Sequence, residues 1–230
     1  MSMSFHDKDK EKDYQRKYQK EHRDYLNKEA ARRVRERRRK DPEYLDRLHQ
    51  HHRNYNRKTK LAAFDAYGGR FCCICGDKRI SSLTIDHIDG GGSEHRRDIG
   101  QGGSQFYRWL KKNQYPKGYR VLCMNCNHLE FLRKRDLVLS NHFSARSKRK
   151  TAMEIKQKIM SLLGGSCSIC GKNDIRILTV HHSNGGGNKE RRIIGGSGSD
   201  KFYRTILGYE SLDGYECRCF SCNCAENWND

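Results

Sequence analysis

Eight cysteines fall in four C-x-x-C pairs: Cys72 with Cys75, Cys123 with Cys126, Cys167 with Cys170 and Cys219 with Cys222. Two such knuckles bring four thiolates around one tetrahedral ion, the chemistry of zinc. A closed four-thiolate site leaves no position for a substrate, so two structural Zn2+ ions are expected and any reaction falls to other residues. Between the first two knuckles stands Asp86-His87, and Asn127 directly follows Cys126. A carboxylate, an imidazole and an amide oxygen are the parts needed to cut a phosphodiester. A divalent ion held by Asp86 and Asn127 would neutralise charge building on the phosphate and the leaving oxygen. His87, with a pKa near neutrality, would take the proton of the attacking water. Hard oxygen ligands suit Mg2+ or Mn2+.

These residues sit in a repeat. "GGRFCCICG" returns as "GGSCSICG", "LTIDHIDGGG" as "LTVHHSNGGG", "HRRDIG" as "ERRIIG", "FYR" as itself and "GYRVLCMNCN" as "GYECRCFSCN". Five collinear matches at a near-constant offset mark a duplicated unit of two small domains rather than a solenoid. Each unit reads as knuckle, strand, glycine-rich loop, short helix, strand, knuckle and helix. The first strand is expected at Ser82–Asp86 and its repeat at Ile177–His181, and the helix entered at the second knuckle should carry Cys123, Cys126 and Asn127 in its first turn. Phe106, Tyr107, Phe202 and Tyr203 read as core. The glycine runs at 90–92 and 185–187 offer amides to a phosphate or simply make a flexible turn. Arg96, Arg97, Arg191 and Arg192 are phosphate contacts or a solvated basic face. His95, with Glu190 as its counterpart, is an alternative extra metal ligand. Cys73, Cys217 and Cys224 are left over, and Cys73 and Cys217 lie near enough to the knuckles for ligand identity to slip by a residue or two.

The chain of 230 residues carries 47 Lys+Arg against 28 Asp+Glu, a net +19, with 34% apolar residues and 11 cysteines. So basic a chain points to nucleic acid, and so little apolar material excludes one large core. No apolar run is long enough for a membrane span, and no N-terminal apolar segment directs the cysteines to an oxidising compartment. An intracellular, reducing location is expected, cytoplasm or nucleoid, or nucleus in a eukaryotic or viral setting. Residues 1–60 hold no cysteine or glycine and read as two basic helices meeting at Asp41-Pro42-Glu43. They form either a phosphate-binding arm through Arg37, Arg38 and Arg39 or a solvated charged tail. Ser140–Lys150 reads as a polar linker, followed by a helix opened by a Thr151/Glu154 capping box. The expected organisation is an arm at 1–60, one zinc domain at 61–140, and a linker helix with a second zinc domain at 141–230.

The motifs "CCIC", "DH" and "LCMNCN" resemble the HNH, or ββα-metal, nucleases, most closely the zinc-bearing recombination endonuclease VII type, over residues 70–135 and more weakly over 165–228. The resemblance implies an α+β fold: two small tandem zinc-stapled ββα-metal domains behind a basic helical arm. It implies His87 as general base with Asp86 and Asn127 as ligands of a catalytic ion, and gives those places to His182, His181 and Asn223 in the second unit. His181 in place of a carboxylate would favour a transition metal there. Two departures stand out: the stretch from His87 to Cys123 is long, and Gly118 replaces the asparagine often found ahead of the second knuckle. The expected activity is metal-dependent endonucleolytic cleavage of DNA, duplex or branched, with RNA an open alternative substrate. The duplication would serve as an internal pseudo-dimer. The rival reading is a non-catalytic zinc protein that only grips nucleic acid, as a transcription or packaging factor does.

Overall fold

In the computed structural model, residues 5–100, 102–138, 143–195 and 199–225 are described. Helices predominate and the strands form two small two-stranded sheets, an α+β arrangement. The chain divides into two compact units, Met1–Arg57 and Lys58–Asp230.

The first unit consists of α1 (Phe5–Glu21), α2 (Arg23–Lys40) and the start of α3 (Tyr44–Ala66). No residue of α2 is buried, and its surface is laced by Arg32 bonded to both Glu29 and Glu36. Where the sequence suggested one helix ahead of Asp41, His22 interrupts it at φ −105° and ψ 16°. The His22 ring stacks on Tyr18 at 4.0 Å, and its Nδ1 lies 3.0 Å from the Tyr18 carbonyl that the helix ladder also uses. Arg37, Arg38, Arg39 and Lys40 crowd the last turn of α2, where the helix dipole favours cations.

The second unit contains two modules built alike. In the first, β1 (Leu83–His87) pairs antiparallel with β2 (Tyr119–Cys123), with Asp86 opposite Arg120 and His87 opposite Tyr119. Between them lie α4 (Gly92–Asp98) and α5 (Ser104–Lys112), two helices where the sequence suggested one, because the glycines at 100, 102 and 103 separate them. α6 (Met124–Val138) leaves β2 directly. In the second module α7 (Phe143–Leu162) leads to β3 (Leu178–His182), α8 (Gly187–Ile194), α9 (Ser199–Ile206), β4 (Tyr215–Cys219) and α10 (Phe220–Ala225). His181 faces Glu216, and His182 faces Tyr215, across the β3–β4 pair.

Both first strands start one residue later than the alternation suggests. Ser82 N–H is already committed to the Arg79 carbonyl in a 3-10 turn, and Ile177 N–H to that of Asp174. The Thr151/Glu154 capping box is not used. α7 starts at Phe143, so Thr151 is interior and its hydroxyl donates back to the Ser147 carbonyl at 3.3 Å. Of the expected linker, Ser140–His142 lie outside the described residues.

Each module has its own core. Ala63 and Phe64 from the end of α3 pack with Leu83, Ile85, Leu110, Val121 and Leu122. Ile159 and Met160 from α7 take the same places over Leu178, Val180, Phe202, Tyr203 and Ile206. Phe106, Phe202 and Tyr203 are buried as expected, and Tyr107 is partly so.

Candidate functional site

The knuckles close as the spacing requires. Cys72, Cys75, Cys123 and Cys126 bring their sulfurs within 4.8 Å of one another, and Cys167, Cys170, Cys219 and Cys222 do the same. The Cys75–Cys123 and Cys170–Cys219 sulfur separations of 3.6 and 3.7 Å match the edge of a tetrahedron with metal–sulfur bonds of about 2.3 Å. Burial raises the Cys126 and Cys222 thiols, and the neighbouring thiols raise them further. At Cys72 and Cys167 burial is outweighed by hydrogen bonds from knuckle amides, and the thiols are lowered. Four thiols set this close, one of each four already favouring the thiolate, are a donor set that fits a divalent cation. Cys217 lies outside its cluster, buried with Sγ 3.6 Å from Met160 Sδ, and Cys73 is exposed. The ligand sets therefore do not slip.

Asp86 and His87 end β1, Asn127 lies in the first turn of α6, and all three line one cleft of about 780 Å³. The cleft walls include Gly90–Gly92, Arg96, Arg97, Phe131, Lys134 and Arg135. Lys134 Nζ reaches back to the carbonyls of His87 and Ile88, at 3.0 and 2.7 Å, tying α6 to the end of β1. Asp86 accepts from Arg120 Nε at 2.9 Å, and the same guanidinium donates to Glu130 at 2.8 Å. Hydrogen bonds from Arg133 and Arg120 hold the Glu130 carboxyl down to about 2. The sequence reading missed both Arg120, which meets Asp86 through strand pairing, and Glu130, which meets Arg120 from the second turn of α6.

His87 is held on three sides. Its ring stacks on Phe106 at 5.3 Å, meets Tyr119 edge-on at 4.8 Å, and places Nε2 2.9 Å from His95 Nδ1. Burial, then the neighbouring His95, lowers its pKa, so the ring is neutral near pH 7. His95 is thus the group behind the imidazole, with Trp109 4.2 Å from its ring.

The third glycine of each run matters for a different reason than its amide. A Cβ on Gly92 would lie 3.0 Å from His87 Nδ1, and one on Gly187 would lie 2.6 Å from His182 Nδ1. The missing side chain keeps that nitrogen open. Only a glycine serves at 118 and 214 as well, where φ is +101° and +83°. Their carbonyls accept from Ile88 and Ser183, closing the loop behind each histidine.

The second module repeats the plan with altered charges. His182 Nε2 bonds to Glu190, whose other oxygen accepts from Tyr215 at 2.6 Å and Tyr209 at 3.1 Å. Burial raises the Glu190 carboxyl, but these three donors outweigh it and leave the pKa lowered. His181 Nδ1 lies 2.8 Å from Asn223 Oδ1, so the two expected ligand positions touch. Arg191 covers the Phe202 ring at 4.8 Å, while Arg192 is exposed. Arg37 lies over Tyr44 at 5.5 Å within the first unit. Among the described residues no helix is long and apolar enough to cross a membrane. The chain matches no protein-family model, no curated protein and no solved structure.

Proposed function

We propose that the protein is a metal-dependent endonuclease of HNH type that hydrolyses phosphodiester bonds of DNA, with two tandem zinc-stapled ββα-metal modules and a basic helical arm. One observation carries this reading. In both modules a histidine at a strand end has a hydrogen-bond partner at Nε2, a glycine that leaves Nδ1 open, and an asparagine one short helix-entry away. A structural histidine gains nothing from a neighbour that must lack a side chain.

In the second module the acceptor is a carboxylate, so His182 carries its proton on Nε2 and Nδ1 holds the free electron pair. His87 in the same tautomer donates to His95 and keeps Nδ1 free to take the proton of an attacking water. Arg96, Arg97 and Lys134, which line the same cleft, offer cations to the phosphate. Exposed Phe131, with Arg135 5.8 Å from its ring, adds a face on which a base can stack. A divalent ion bound through Asp86 and Asn127 would supply charge stabilisation to the phosphate and leaving oxygen. Arg120 supports the negative charge of Asp86 from the neighbouring strand.

The ion pair of Asp86 with Arg120 favours one rival, in which the modules grip nucleic acid without cutting it. Purified protein incubated with supercoiled plasmid and with a four-way junction, with and without Mg2+, separates the two. Nicked or linear product only with Mg2+ supports the nuclease; retarded but intact DNA under every metal condition supports the rival.

A further inference from the structure

The two thiolate clusters meet across a local two-fold. α6 and α10 each start at a second knuckle, and their first turns face one another. Asn125 N–H donates to Ser221 Oγ at 3.2 Å, and Ser221 N–H donates to Asn125 Oδ1 at 3.0 Å. Asn125 and Ser221 occupy the same position of the repeat, two residues past Cys123 and Cys219, so the exchange is isologous. Both are buried, at 5% and 0% exposure.

Each also reaches the other module's sulfur. Asn125 Nδ2 donates to Cys219 Sγ at 3.3 Å, and the Ser221 hydroxyl is within hydrogen-bonding reach of Cys123 Sγ. Arg79 adds a third bridge, Nη1 to Cys222 Sγ at 3.3 Å, while Asp77 fixes the rest of its guanidinium. Around this seam His128 packs on Phe220 at 4.4 Å. Lys60 faces Cys224 as Lys156 faces His128, again at matching positions of the repeat.

We infer that the two four-cysteine sites are one coupled two-metal centre, in which each module supplies hydrogen-bond donors to the other's metal-binding sulfurs. A divalent ion in four thiolates leaves a net double negative charge, and taking it out of water is costly unless donors surround it. The donors of each cluster come partly from the opposite module, and they stand in place only when that module is folded. Folding of so small a module depends on its own metal. Loading of one site therefore raises the affinity of the other, and by linkage the effect is mutual. Among the described residues the bridges are unequal: the second cluster receives Asn125 and Arg79, the first Ser221 alone. This inference does not depend on cleavage.

The test is a zinc titration of the full-length apo-protein against a competing chromophoric chelator, read in parallel by native mass spectrometry. Wild type is expected to pass from the metal-free form to two zincs with little one-zinc species. Asn125→Leu, which keeps volume and loses the donor, should populate the one-zinc species and weaken the second cluster by about 10- to 100-fold. Arg79→Met should do the same, whereas Ser221→Ala should weaken the first cluster by less. Removing the first cluster outright with Cys75→Ser and Cys126→Ser should lower zinc affinity at the second by at least as much as Asn125→Leu does. Zero, one and two zincs in the binomial proportions of independent sites, with the second cluster's affinity unmoved in all these variants, would overturn the proposal.

Discussion

In the first module a carboxylate, Asp86, precedes the strand-end histidine His87 and an imidazole, His95, stands behind it; in the second an imidazole, His181, precedes His182 and a carboxylate, Glu190, stands behind it. Each module thus keeps two imidazoles and one carboxylate, but the negative charge has moved from the residue before the histidine to its Nε2 side. The cross-strand partners reverse with it: Arg120 faces Asp86, and Glu216 faces His181. What stays constant is the frame: four cysteines, a phenylalanine against the histidine ring, a tyrosine at its edge, and a glycine under Nδ1. On the proposed reading, the cysteine clusters and the glycine set the position of the histidine, and charge placement sets which metal assists it.

The largest effect should follow from breaking what the modules share. Stripping the metal removes folding free energy on the order of 10 kcal/mol per site, so a strong chelator should unfold residues 58–230, with loss of far-UV CD signal. The helices of residues 5–57 should keep theirs, since both four-cysteine clusters found among the described residues lie outside them. An unchanged spectrum with two equivalents of zinc removed would refute the structural role.

Next comes the charge exchange itself. His182→Ala should cost on the order of 10²-fold or more in cleavage assisted by Mn2+ or Ni2+, and little in Mg2+, because an imidazole at 181 disfavours the harder ion. Second-strand cutting, read as linear over nicked plasmid, is the sensitive measure. Equal losses in all metals would mean that the exchange of Asp86 for His181 does not set metal choice.

The shared glycine gives a smaller and graded effect. Gly92→Ala and Gly187→Ala both crowd Nδ1, at 3.0 and 2.6 Å, so the second substitution should be the more damaging to its own module. Displacing the base by a few tenths of an ångström should cost about 10- to 100-fold in rate with zinc content and melting temperature preserved. Full activity in Gly187→Ala would remove the steric role assigned to that position.

Affinity should divide differently from rate. Replacing Arg37, Arg38 and Arg39 by glutamine leaves both modules intact and should flatten the slope of log K against log salt by up to about 3, with single-turnover cleavage at saturating protein retained. A slope that does not move would place the arm away from DNA.

The smallest effect concerns Lys60 and Lys156, equivalent in the two modules and each lowered by burial from 10.5 to about 8. Between those values the unfolded chain binds a proton that the folded one refuses. Stability should therefore rise as pH increases from about 8 to about 10.5, and stay flat with respect to these groups below 8. Lys60→Met and Lys156→Met should each remove about half of that rise in denaturant midpoint; loss of none of it in either variant would contradict the assignment.

The sequence was most readable where chemistry is periodic along the chain. Cysteines three apart, an Asp-His pair at the end of an alternating strand, and an asparagine after the last cysteine all lie where their spacing indicates. Less was readable where contact depends on pairing. Arg120 meets Asp86 because β2 runs antiparallel to β1, and Glu130 joins Arg120 from the second turn of α6; the counterparts of Asp86 and Arg120 in the repeat, His181 and Glu216, carry no like charge to draw attention. His95 and Glu190 stood out as candidate ligands, yet the helix after the glycines turns both toward Nε2. Thr151 looked like a cap because its local pattern is correct, but α7 had already started at Phe143. The third glycine was visible in both copies, and its use emerges only once the ring above it is placed.

Cleavage by His87→Ala in Mg2+, measured on plasmid with zinc content and melting temperature equal to wild type, tests the proposed chemistry most directly. Loss of most Mg2+-dependent nicking, with DNA binding unchanged, is the expected result. Mg2+-dependent cutting at the wild-type rate would show that His87 is not the base and that the cleft it lines is not where the phosphodiester is broken.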